Sequence, residues 1–259
     1  MNEYCNYSAY KNGYLATVDK YSVYRLLIET QPELLIVGEG NGSFSLCLGV
    51  LRRSIEKIFT TWFSDLSYEL GDVINICIDQ VPNNNKIFQD DDLYPLKSNE
   101  NILERYEDIK SQGCTWKREI NVDCTNLQKY SRSVSSEYFQ TIFFQCPYIG
   151  EGQTPQLILD FFASANNVQQ QGGFIFIGIT LTFPFIQYYS LHSLIEDETE
   201  IGQCDPWKHI NYSFRGIDTR FMRYVLSYGY KHKGIRDCHK DIAEKMSVLV
   251  FEKIHAHDI

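Results

Sequence analysis

No run of apolar residues in this chain reaches the ~20 positions that a membrane-spanning helix needs, so no membrane partner is expected. The N-terminal stretch MNEYCNYSAYKNGYLATVDKYSVY has no apolar core flanked by basic residues. A secretory leader is therefore not expected, and a cytoplasmic location is. Cysteine occurs eight times but never as CxxC. Several of these thiols lie inside apolar runs, where they pack as small hydrophobes, so reduced thiols are expected rather than disulfides. Cys204, His209, His232, Cys238 and His239 fit no compact zinc spacing, so no metal is expected. GxxxxGK[ST] is missing, which argues against nucleoside triphosphate hydrolysis. Basic residues are in deficit, 24 against 33 acidic, for a formal charge of −9. Enzymes of nucleic acids commonly gain affinity by neutralising phosphates, so this balance lowers the expectation of RNA without forbidding it. The cluster Lys231, His232, Lys233 and Arg236 is a local exception.

What is present is a chain long enough for one large domain with a substantial core. Residues 1–30 form an N-terminal extension in which Tyr4, Tyr7, Tyr10 and Tyr14 recur at helical spacing. They read either as an aromatic stripe packed on the domain or as a lid in which Tyr14 meets a flat substrate. Residues 31–259 form the main domain.

From residue 33 strands and helices alternate. ELLIVG (33–38) is a continuously apolar strand, the pattern of burial on both faces. SFSLCLGVLRRSIEKIF (43–59) follows as a helix with Ser43 as its cap. DVINICID (72–79) reads as the second strand, and NENILERYEDIKSQG (99–113) as a helix closed by Gly113. TWKREINVD (115–123) is the third strand, and YFQTIFFQCP (138–147) the fourth, stopped by Pro147. PQLILDFFASANNVQQQGG (155–173) reads as a helix ended by two glycines, GFIFIGITL (173–181) as the fifth strand and PFIQYYSLHSLIEDE (184–198) as a helix. HINYSFRG (209–216) and MSVLVFEKI (246–254) complete seven strands. The expectation is an α/β, doubly wound, mostly parallel sheet.

Ligands of such sheets bind beyond the carboxyl ends of the strands. There the first strand meets GEGNGSFS, with Gly38, Gly40 and Gly42 at alternate positions. Glycines let the backbone turn tightly and approach a ligand, and the amides that open the next helix can face it. Asp79, at the end of the expected second strand, can accept both hydrogen bonds of a ribose diol. Asp123, closing the third, can meet the exocyclic amine of an adenine. The dinucleotide fingerprint GxGxxG with an acid ~20 residues on is not matched, since the chain reads GxGxG and Asp79 lies much further away. S-adenosylmethionine fits better than NAD.

The segments LLIVGEGNGSFSLCL, INVDCTNL, FQTIFFQCPYIGEG and YVLSYGYKHKG resemble, in this order, those of the 25S rRNA uridine-N3 methyltransferase-like family. The resemblance implies a Rossmann-like methyltransferase fold and S-adenosylmethionine as cofactor. It implies that Gly38, Glu39, Gly40, Asn41, Gly42, Ser43, Phe44 and Ser45 form the cofactor turn, and that Asp79, Asp123 and Cys124 lie at the adenosine. Gln145, Pro147 and Tyr148 would stand at the reaction face, with Gln145 an orienting amide and the other two a wall against the ring. Lys231 and His232 would contact substrate. The chain departs from the family at Gly42, where an aromatic is usual, and at Gln145-Cys146-Pro147-Tyr148, where the family reads Asn-Phe-Pro-His. The expected reaction is methylation of a ring nitrogen of a nucleobase, in RNA. A small heterocycle as substrate, or a member that binds cofactor without turnover, are the alternatives.

Overall fold

The computed structural model describes residues 22–62, 68–81, 99–112, 116–130, 139–150, 152–180, 189, 211–232 and 244–254. The expected lid with Tyr14, the helix over 184–198 apart from Tyr189, and Cys204, His209, Cys238 and His239 lie outside them. Seven strands make one sheet in the order β3-β2-β1-β4-β5-β7-β6. They are β1 (Leu34–Val37), β2 (Ile58–Thr61), β3 (Lys117–Glu119), β4 (Phe139–Gln145), β5 (Gln169–Thr180), β6 (Tyr212–Asp218) and β7 (Met246–Lys253). The neighbours from β3 across to β5 pair parallel, whereas β7 runs antiparallel to both β5 and β6. The sheet is therefore mixed, which corrects the mostly parallel expectation at this edge. The chain order reverses between β1 and β4, and that crevice is where a doubly wound sheet takes its ligand.

The helices are α1 (Ser43–Arg52), α2 (Leu70–Ile78), α3 (Asn99–Ser111), α4 (Thr154–Val168) and α5 (Phe221–Ser227). Alternation along β1 divides the core in two. Leu34 and Ile36 pack with residues of α1, α2, α3 and α5 on one face, while Leu35 and Val37 pack with those of α4 on the other. A strand with apolar residues on both faces needs helices on both, which is the physical basis of the double winding.

The sequence expectation fails in four places. The helix read over 43–59 stops at Arg52, because Arg53 turns left-handed at φ +59° and its amide closes on the carbonyls of Gly49 and Val50. The chain then folds back over Gly49, where a Cβ would stand 2.2 Å from Ile55, and enters β2. Ile55 and Phe59 thus belong to the return and to a strand. DVINICID is helical, within α2, not the second strand; its apolar positions satisfy either period over so short a run. Helix α4 ends at Val168, and Gly172 and Gly173 lie in β5 rather than at a helix stop. Helix α5 was not anticipated at all; buried Asp218 caps it, its Oδ1 accepting the amides of Arg220 and Phe221 at 2.9 Å each.

Candidate functional site

Strand β1 ends at Val37 and the chain turns through Gly38–Gly42 into α1. Gly38 and Gly42 both take positive φ, +77° and +81°, which side chains rarely adopt. Their surroundings differ. Gly38 is exposed, with the Gln145 carbonyl 2.9 Å from where its Cβ would be. At Gly42 a Cβ would stand 2.4 Å from the Trp116 ring and 3.2 Å from Val73. The third glycine is thus required by the protein's own packing, and at Gly38 the Phe144 ring, 3.3 Å from the same Cβ position, adds to the crowding by the Gln145 carbonyl.

Glu39 is buried and turned back on the start of α1. Its carboxylate accepts the Ser45 amide at 3.0 Å and the Ser45 hydroxyl at 2.9 Å, with further bonds from the amides of Asn41 and Phe44. Burial raises its pKa above the ordinary carboxylate value, and these hydrogen bonds oppose the rise. The amides expected to be free for a ligand are therefore engaged by an internal carboxylate. A phosphate brought here would meet a carboxylate instead of open donors, whereas a cationic or neutral group would not be repelled.

Asn41 accepts from the amide (3.1 Å) and hydroxyl (2.6 Å) of Ser43, and its Nδ2 donates to the Lys231 carbonyl at 3.0 Å. Ser43 Oγ in turn accepts the Lys231 amide at 3.2 Å. The C-terminal segment of residues 230–232 is thereby stitched to the glycine turn, bringing Lys231 and His232 beside residues 190 positions away in sequence. The Lys231 side chain is exposed.

At the end of β4, Gln145 is buried and Cys146 turns left-handed at φ +49°. Pro147 is buried, and Tyr148 and Ile149 emerge 38% and 52% exposed. Tyr148 makes an edge contact with buried Tyr189 at 6.5 Å between ring centres, which leaves its ring as part of an apolar wall. Gln145 Nε2 donates to Tyr230 Oη at 2.6 Å, and Tyr230 Oη lies 2.6 Å from His232 Nδ1. Burial lowers the His232 pKa below its ordinary value, favouring the neutral ring.

The acids read as strand ends fare differently. Asp123 follows β3, where its Oδ1 accepts the amide and hydroxyl of Thr125 at 2.9 and 2.7 Å. Cys124 beside it is pushed up to about 12 by burial and by the Asp123 charge, so its thiol stays protonated and serves as packing. Asp79 is a correction: it follows Ile78 at the exposed C-terminus of α2, not the end of a strand. The acid that follows β2 in the sequence is Asp65, outside the described residues. Tyr230 and the tryptophans were missed. Trp62, directly after β2, packs edge-on against Trp116 at 5.6 Å, and Trp116 Nε1 donates to Thr60 Oγ1 at 3.0 Å. Two buried polar atoms here, Trp62 Nε1 and Gln145 Oε1, have no protein partner. Such orphans are costly in a native structure.

No group of three or more possible metal ligands occurs among the described residues. Nor does any described helix have the length and apolarity to cross a membrane.

The family model described as BMT5-like, rRNA (uridine-N3-)-methyltransferase BTM5-like, matches residues 89–201. That stretch takes in INVDCTNL and FQTIFFQCPYIGEG, two of the four segments that carry the resemblance, while the glycine turn lies outside it. No curated protein matches the chain. Among solved structures, an rRNA methylase from Streptococcus thermophilus is 10% identical with a TM-score of 0.40, the alignment covering 93% of this chain and 96% of that one. A candidate rRNA methylase from Clostridium thermocellum is also 10% identical with a TM-score of 0.42, covering 92% and 96%. A candidate methyltransferase from Streptococcus mutans, solved with SAH, is 8% identical with a TM-score of 0.39, covering 86% and 89%. At such scores the architecture rests on the strand order of this chain itself.

Proposed function

We propose that this protein is an S-adenosylmethionine-dependent methyltransferase of the rRNA uridine-N3 type, acting on a ring nitrogen of a base in RNA. The class of reaction and the cofactor follow from the family match, which converges with the resemblance in the sequence. The observation that carries the choice of cofactor is the Glu39 cradle. By engaging the Ser43 amide with the Asn41 side chain and the Ser45 amide with the Glu39 carboxyl, the chain closes the pyrophosphate site of a dinucleotide fold and leaves a carboxyl there that does not repel a cationic ligand.

The residues that would hold the cofactor are those of the glycine turn, where Gly38 is exposed and takes positive φ and Glu39 and Asn41 brace the backbone, with Asp123 following β3. S-adenosylmethionine supplies an electrophilic methyl group on a sulfonium. The chain's own task is then positioning and exclusion of water, which supplies much of the rate for an in-line displacement. Pro147 and Tyr148 form the wall against the base, and Gln145 orients its reacting edge. Lys231 offers an exposed ammonium beside the turn for a phosphate of the RNA. We place Asp79 outside this set.

Calorimetric titration should show binding of S-adenosylmethionine and none of NAD. Labelled methyl groups should enter an unmethylated rRNA transcript, and Gln145→Ala should reduce incorporation by about 100-fold, as loss of a buried orienting group does. Heat of binding from NAD alone would overturn the cofactor assignment. Methylation confined to free heterocycles would replace RNA by the small-molecule reading.

A further inference from the structure

We propose that Asn41 and Ser43, although they lie in the glycine turn, are positioning residues for the RNA and not contacts of the cofactor. Together they clamp the Lys231 peptide, so that the cation meeting a phosphate of the substrate is held in fixed register with the methyl donor. The inference rests on the proposed function and reassigns two residues within it.

Neither side chain presents a surface to a ligand, since Asn41 is 3% exposed and Ser43 is fully buried. Asn41 Oδ1 takes the Ser43 amide at 3.1 Å, and its Nδ2 donates to the Lys231 carbonyl at 3.0 Å. That orientation cannot be reversed. A backbone amide can only donate and a carbonyl can only accept, so the oxygen of Asn41 must face Ser43 and its nitrogen must face Lys231. The Ser43 hydroxyl lies 2.6 Å from Asn41 Oδ1, 2.9 Å from the Lys231 carbonyl and 3.2 Å from the Lys231 amide. Whichever oxygen takes its one proton, a lone pair remains for that amide. The Lys231 peptide is thus gripped at both polar ends.

The chain reaches this clamp along a path with little freedom. Gly229, at φ +94°, passes so near the Cys77 carbonyl that a Cβ would stand 2.2 Å from its oxygen. The buried Tyr230 ring then meets Phe44 edge-on at 5.5 Å between centres. Lys231 follows with its side chain exposed. A lysine stem is flexible and gives a phosphate no fixed position by itself. Pinning its backbone on the turn keeps the ammonium, and a phosphate bound to it, within one side chain's reach of the cofactor site, and transfer requires such proximity. Asn41→Asp separates this role from support of the helix start. A carboxylate still accepts the Ser43 amide, as aspartate does where helices begin, but it faces the Lys231 carbonyl acceptor to acceptor.

The test uses the full chain, S-adenosylmethionine and an unmethylated rRNA transcript. Asn41→Asp and the charge-neutral Ser43→Ala should each raise the KM for RNA about tenfold, the scale of a lost buried hydrogen bond, while affinity for S-adenosylmethionine changes less than about twofold. Lys231→Gln should raise that KM in the wild type and add nothing in either variant, because a lysine already out of register has no contact to lose. A role confined to the helix start would leave Asn41→Asp unaffected and the cost of Lys231→Gln intact. Either result overturns the inference, as does a loss of cofactor affinity with an unchanged KM for RNA. Hydrogen exchange reads the clamp without substrate. The Lys231 amide should exchange slowly in the wild type and on the order of tenfold faster in both variants, with the Ser45 amide, held by Glu39, still protected. A Lys231 amide that exchanges freely in the wild type overturns the clamp, even if the variants fail to fold. If cofactor binds but no RNA is methylated, the proposed function fails, and the exchange measurement still upholds or overturns the clamp.

Discussion

A carboxylate buried against the first turn of a helix carries two opposing influences, and at Glu39 desolvation exceeds the hydrogen bonds from Ser45. Its folded-state pKa lies above the ordinary value of 4.5, so the native chain holds this proton more tightly than the unfolded one. Such a group adds its full stability below about pH 4.5, and that contribution is lost as the pH rises through the folded value. Glu39→Gln keeps an acceptor for Ser45 but cannot ionise. Urea titrations across that window should therefore show wild type losing stability relative to the variant as pH increases. Binding of a cationic cofactor draws on the same equilibrium, because nearby positive charge favours the carboxylate. Affinity for S-adenosylmethionine should rise with pH through the Glu39 titration in wild type and stay flat in Glu39→Gln. A flat wild-type profile would mean that Glu39 does not feel the cofactor's charge.

At the scale of elements, the glycine turn is held by tryptophan as much as by glycine. An alanine at Gly42 must adopt φ +81° and push aside the Trp116 ring, 2.4 Å from the new methyl, with Val73 close behind. Overpacking costs about 1–3 kcal/mol and the left-handed conformation about 1–2 more. Gly42→Ala should accordingly lower stability by ~2–5 kcal/mol in urea unfolding. Part of the loss should return when Trp116→Leu is added, because the two positions share one space. If Gly42→Ala unfolds within ~0.5 kcal/mol of wild type, in the range of neutral surface changes, Trp116 does not fill the bend.

The same element shows what could and could not be read beforehand. GEGNGSFS announced a tight turn before a helix, and ELLIVG, YFQTIFFQCP and MSVLVFEKI announced strands, because continuous apolar runs between turn residues have few other uses. No residue type in the sequence marks the end of α1 at Arg52 or makes DVINICID a helix. Those outcomes depend on the return over Gly49 and on helix packing, both tertiary. Asp79 was misplaced for that reason alone. Gln145 and His232 were visible as single residues in motifs, but Tyr230 joins them through contacts some 85 positions apart, which no spacing rule reveals.

Over the whole molecule, the excess of acid constrains how RNA can be held. With a formal charge of −9, long-range attraction to a polyanion is weak or repulsive, so affinity must come from a few local phosphate contacts and from base stacking, for which the proposed function assigns Tyr148. Each phosphate neutralised on a single strand contributes about −0.7 to the slope of log K against log salt. Binding of the rRNA transcript measured from 50 to 300 mM salt should therefore give a shallow slope, of magnitude below about 3, in place of the steep one of a basic-groove protein. Among the described residues, Lys231 is tied to the glycine turn through its backbone bonds to Asn41 and Ser43, and its side chain is exposed. Lys231→Gln should weaken binding at low salt and reduce the slope by about 0.7, whereas Tyr148→Ala should weaken binding equally at every salt concentration. The two losses separate charge from stacking. A slope that Lys231→Gln leaves unchanged would remove that residue from the path of the RNA while leaving the role proposed for Gln145 untouched.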